Sequence, residues 1–188
     1  MQRKFLLNIL FLLTVNLLIK PFFIFGIDRG VQNEVGAADY GLYFTLFNFS
    51  SLFQIVVDFG IQNFNNRNIA QHHHLLDKYF SHLSLLKVLL SLGYGVLVLL
   101  GAMLCGYTWT ELHLLLFIVI NQILLSFILF FRSNISGLQE YFTDSLVSVL
   151  DRLLLIGVCG VLLWYNPFDS PFKIQWFVYA QTDRKSVV

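Results

Sequence analysis

The chain has 188 residues, of which 57% are hydrophobic and 12% charged, with a net charge of +1 and a mean hydropathy of +0.71. Soluble domains carry about 25% charged residues, so this composition excludes one, and a net charge this close to zero gives no ground for a nucleic-acid partner. The solvent is a lipid bilayer.

Crossing about 30 Å of hydrocarbon takes about 20 mostly apolar residues. In chain order, the runs that satisfy this are Phe5 to Ile27, Tyr40 to Gly60, Leu83 to Cys105, Leu112 to Phe131 and Ser145 to Trp164, with an incomplete run starting near Ile174. None alternates with period two, so the predicted fold is an all-α polytopic membrane protein and not a β-barrel. The first run follows Arg3 and Lys4 as a signal peptide would. Its apolar core is too long for one, it contains Lys20, and no small-residue cleavage site follows, so it is read as a retained span.

Lys20 stands directly before Pro21 in that first run. A cation in hydrocarbon is expensive and must face protein, water or a ligand. Pro21 lacks an amide donor and disfavours helical torsions at Lys20, which strands the carbonyl of Leu17 and predicts a kink. Asn8, Asn16 and Lys20 share an arc of about 120°, as expected of a cavity wall, where irregular backbone is tolerated at membrane depth. The competing reading has Lys20 snorkel to the outer interface, since only about 10 Å of helix separates it from Ile27.

The second run carries Thr45, Asn48, Ser51, Gln54 and Asp58. Asn48 through Asp58 fall within an arc of about 120°, which predicts one face turned to water or protein, or joined to neighbouring helices by hydrogen bonds. Asp58 is expected to pair with Arg67 in the polar connection from Ile61 to His82, as a structural contact or as a gate. Lys87 and Arg132 read as interfacial anchors of the third and fourth spans. Asn121, Gln122 and Ser126 add polarity to the fourth span. In the fifth, Asp151 and Arg152 lie about two turns into the membrane, with Ser145, Ser148 and Arg152 on one narrow face. They read as a neutralised pair or as cavity lining for an anionic group.

An inward N-terminus places Arg3, Lys4, Arg67, Lys78 and Arg132 on the cytoplasmic side, against Arg29 and Lys173 outside, which is the bias the positive-inside rule requires. Cys105 and Cys159 read as small packing residues, with no disulfide inferred and no metal-ligand spacing. The apolar pattern stops at Asp183-Arg184-Lys185-Ser186-Val187-Val188, read as a non-native tail behind a transmembrane lobe over residues 1–182. Nothing matches a Walker A loop or a nucleophile elbow. Consecutive His72, His73 and His74 point about 100° apart on a helix and cannot share one ion. No cofactor and no catalytic group is expected, so the chain does not read as an enzyme.

The stretch Asn16-Leu-Leu-Ile-Lys-Pro-Phe, then Gly36 followed by Tyr40-Gly-Leu-Tyr, then Asp58-Phe-Gly-Ile-Gln-Asn-Phe-Asn-Asn-Arg67, resembles the N-terminal portion of bacterial polysaccharide flippases. Arg132-Ser, Gly137-Leu-Gln-Glu-Tyr141 and Asp151-Arg152 resemble the later segments of the same family. These exporters of O-antigen or capsule belong to the multidrug/oligosaccharidyl-lipid/polysaccharide superfamily. The ordered set carries the likeness, over most of residues 5 to 181. It implies a two-lobed alternating-access transporter, of which this chain is similar to the N-terminal lobe alone. It also implies a bacterial inner-membrane location and an undecaprenyl-diphosphate-linked oligosaccharide as substrate, with other polysaccharide-assembly membrane proteins as partners. On that reading Lys20 and Arg152 attract the diphosphate, while Asn16, Asn48, Ser51 and Gln54 hydrogen-bond glycan hydroxyls. Asp58, Arg67 and Asp151 form the gate. A drug or cation antiporter of the same superfamily, an integral-membrane enzyme acting on the same lipid-linked sugars, and a membrane scaffold are the alternatives.

Overall fold

The structure is a computed structural model and describes residues 14, 17–19, 21–71, 76–165 and 172–187. Among these residues every regular element is helical, with no strand. Among the described residues three helices are long and apolar enough to cross a membrane, and a fourth crossing results if a helix pair bent by 50° counts as one span. The chain is a multi-pass membrane protein. It divides into two compact units, residues 42–141 and the combination of residues 1–41 with 142–188.

In the second of these units, π-helical turns at Phe23–Asp28 follow Pro21, whose missing amide already interrupts the ladder. They run into α1, Arg29–Val35, which ends at Gly36 with φ 89°. The helix therefore extends beyond Ile27, and Asp28 and Arg29 are helical. Later in the same unit come α7, Tyr141–Gly160, with π-helical turns at Val161–Tyr165, and α8, Ile174–Val187. α1 packs on α8, and the Tyr40 hydroxyl donates to Asp28 Oδ1 at 2.9 Å.

The unit of residues 42–141 holds the rest: most of α2, Ala37–Leu52; α3, Gln54–Asp58; α4, Ile61–Gln71; α5, Leu76–Leu104; and α6, Trp109–Gly137. The expected single span from Tyr40 to Gly60 is broken. The hydroxyls of Ser50 and Ser51 both donate to the Phe47 carbonyl at 2.8 Å. Hydroxyls that compete for a helix carbonyl bend the helix, and the chain breaks at Phe53. A second break follows α3, where Phe59 (φ 45°) and Gly60 (φ 79°) both adopt positive φ. The region read as a polar connection from Ile61 is instead helical through Gln71. Its buried positions Ile61, Asn65 and Ile69 recur every four residues, which lays α4 along the end of α6.

The α5–α6 hairpin is closed by two local devices. Gly106, at φ 78°, stands where Tyr107 N–H reaches back to the Ala102 carbonyl and Gly106 N–H to Met103, a Schellman ending. Glu111 then accepts from both the backbone N–H and the hydroxyl of Thr108, at 2.7 and 2.8 Å, and so begins α6. α6 ends in a second Schellman turn, with Gln139 at φ 63° in the position glycine usually takes.

Candidate functional site

The most constrained polar cluster joins α3 to α5. Lys87 is fully buried and its ammonium donates to the Val57 carbonyl at 2.9 Å and to Asp58 Oδ1 at 3.3 Å. Two features place it there. Lys87, Ser91 and Tyr94 recur on one side of α5 at helical spacing, and the end of α3 offers carbonyls that no further helical turn satisfies. A cation at a helix C-terminus is favoured both by those carbonyls and by the macrodipole, so Lys87 caps α3. Ser91 Oγ donates to the Lys87 carbonyl at 2.8 Å, and the buried Tyr94 hydroxyl donates to the Ser50 carbonyl at 3.1 Å. Phe49 and Phe53 close the same interface, their rings 3.4 and 3.6 Å from where a Cβ on Gly101 would stand.

This arrangement corrects two sequence expectations. Asp58 pairs with Lys87, not with Arg67, whose side chain is exposed on α4. Lys87 is not an interfacial anchor, because it lies wholly inside the bundle. A signal for it was present: Ser84, Lys87, Ser91 and Tyr94 form a stripe at spacings of three and four, as the second span's polar residues do.

A second cluster joins α4 to α6. Asn65 Nδ2 donates to Ser133 Oγ at 2.8 Å and to Asn134 Oδ1 at 2.7 Å, and Asn66 Nδ2 approaches Ser136 Oγ at 3.4 Å. The helices run so close that a Cβ on Gly137 would fall 2.8 Å from Ile69 Cβ. This contact requires glycine and locks the two helices in register.

Of the other predicted site residues, Asn48 is exposed and Gln54 half-buried, while the Ser51 hydroxyl is already engaged by Phe47. Thr45 is exposed beside Asn48, so the predicted polar face includes an open stripe. Asp151 is half-buried on α7. Asn16, Lys20 and the side chain of Arg152 lie outside the described residues, as does the kink expected at Lys20. In the unit formed by residues 1–41 and 142–188, a cleft of about 600 Å³ opens beside Asp28, Arg29, Gln32 and Asn33. No group of His, Cys, Asp and Glu able to hold a metal ion occurs among the described residues, and neither Cys105 nor Cys159 is in a disulfide.

The family described as "Polysaccharide biosynthesis protein" matches this chain over residues 5–178. No curated protein and no solved structure matches it.

Proposed function

The chain belongs to the polysaccharide biosynthesis protein family, and on that premise we propose that it is a flippase for a lipid-linked oligosaccharide in the bacterial inner membrane. The substrate class is an undecaprenyl-diphosphate-linked glycan carried to the outer leaflet for export as O-antigen or capsule. The observation that carries the reading is the polar stripe of the second span at its exposed amide, Asn48, on a helix in an apolar chain. Hydrocarbon offers an amide no hydrogen-bond partner, so such a stripe must face water, another polar surface or a polar ligand. A glycan in transit supplies many hydroxyls to it.

In this scheme Asn16, Asn48, Ser51 and Gln54 meet the sugar, Lys20 and Arg152 attract the diphosphate, and Asp58, Arg67 and Asp151 belong to the gate. Asp58 works there with Lys87, the cation that it contacts. The same pairing argues against an antiporter of drugs or cations, which needs a carboxylate free to bind its cargo. The test is Lys20→Ala in cells whose surface polysaccharide depends on this protein. Loss of surface polysaccharide at unchanged membrane abundance is expected, and a normal coat would overturn the assignment of Lys20.

A further inference from the structure

A polar seam between α5 and α6 adjoins the Lys87–Asp58 pair assigned above to the gate, but the observations that define it are independent of the transport reading. At 100° per residue, Ser84, Ser91 and Gly95 fall within about 40° on α5, and Lys87 and Tyr94 lie on the adjoining arc, about 40–60° further round. The Gly95 side meets α6, since a Cβ there would stand 3.8 Å from Val119 Cγ1. The adjoining arc meets α2 and α3 through the Lys87 and Tyr94 hydrogen bonds.

The two helices run antiparallel about their short turn, and the Phe80 ring stacks on Phe130 with centroids 6.0 Å apart. Counting equal steps from the Gly95–Val119 contact brings Ser126 to the height of Val88, next to Lys87, and Gln122 to the height of Leu92, next to Ser91. Gln122 and Ser126 are each 3% exposed. Gln122 Oε1 and Ser126 Oγ have no hydrogen-bond partner among the described residues, nor does the shielded Ser84 Oγ. Buried acceptors left without a donor are costly, most of all where the surroundings are hydrocarbon and not water. The nearest strong donor by this register is the Lys87 ammonium, which has three N–H groups and uses two of them on Val57 and Asp58.

We propose that this seam is a second seat for the Lys87 ammonium, reached by rotating its side chain off Val57 and Asp58 and onto Gln122, Ser126 and Ser84. The seat beside Asp58 holds the resting population, because there the charge is neutralised. Asp58 is 31% exposed and takes up water when the ammonium leaves, whereas Lys87 is fully enclosed and turns to the seam. When Lys87 moves, α3 loses the cation on its last carbonyls, and the five-residue helix between the breaks at Phe53 and Phe59 is released. Lys87 is thus a positioning residue that couples the α5–α6 seam to the bend in the second span.

The test is amide hydrogen exchange of the full chain in lipid nanodiscs, read over residues 54–60, where Phe59 N–H bonds the Ile55 carbonyl at 2.9 Å. Asp58→Asn weakens the first seat and should speed exchange severalfold. Gln122→Leu combined with Ser126→Ala removes the second seat and should slow it severalfold in the otherwise native chain. If that pair of changes impairs folding, Ser126→Ala alone should act in the same direction. Exchange that is unchanged or faster in the seam variants would show the seam to be inert packing and overturn the proposal.

Discussion

Lys87 and Asp58 differ in what each leaves behind. Removing the carboxylate leaves a fully buried ammonium with hydrogen-bond acceptors but no counter-charge, whereas removing the ammonium leaves a carboxylate that is 31% exposed and partly hydrated. Breaking a buried pair by deleting one partner costs about 3–5 kcal/mol when the remaining charge is enclosed. Asp58→Asn should therefore lie near that range and Lys87→Met clearly below it. The double variant Asp58→Asn with Lys87→Met should recover much of the larger loss. Thermal unfolding in nanodiscs checks the order. Equal losses for the two single changes would mean that the carboxylate is as enclosed as the lysine.

Among the elements, the side-by-side packing of α4 on α6 depends on a single missing side chain. Gly137→Ala forces Cβ against Ile69 Cβ at 2.8 Å and Ile69 Cγ2 at 3.0 Å, with the Asn66 carbonyl at 3.2 Å. Overpacking of this kind costs about 1–3 kcal/mol. Ile69→Ala removes the γ contact but not the β contact, so it should restore only part of the stability, as measured by the melting temperature of the double variant. The amide bonds from Asn65 to Ser133 and Asn134 hold the same interface, and hydrogen bonds between membrane helices average about 0.6 kcal/mol. Asn65→Ala should accordingly cost less than Gly137→Ala, and a reversal of that order would place the locking energy in the polar contacts.

For the whole molecule, the orientation expected from Lys and Arg puts the α5–α6 turn on the outer face of the membrane. Cys105 is exposed at that turn and Cys159 is buried in α7. A membrane-impermeant maleimide applied to intact cells should label Cys105 and spare Cys159. Labelling of Cys105 only after the cells are opened would invert the topology. An inverted topology would also exchange the sides assigned to Arg67 and Arg132.

The membrane class, the all-helical fold and the centres of the long spans were legible in the sequence, because composition and the length of an apolar run answer directly to bilayer thickness. Local grammar went unread: Thr108 with Glu111 forms a capping box, and the Ser50-Ser51 pair marks the bend in what was expected to be one unbroken span. What the sequence could not decide was the choice of partners. Asp58 had two basic residues available, Arg67 nine positions ahead along the chain and Lys87 in the next long helix, and nearness along the chain favoured the wrong one. The antiparallel packing of α5 against α3 brings Lys87 to the carboxylate and to the terminal Val57 carbonyl together, an arrangement that exists only in three dimensions. The helical state of Ile61–Gln71 was settled in the same way. Its thin stripe of Ile61, Asn65 and Ile69 gains a groove only once α6 lies beside it, whereas in isolation so short a polar segment has too little to offset the cost of helix formation.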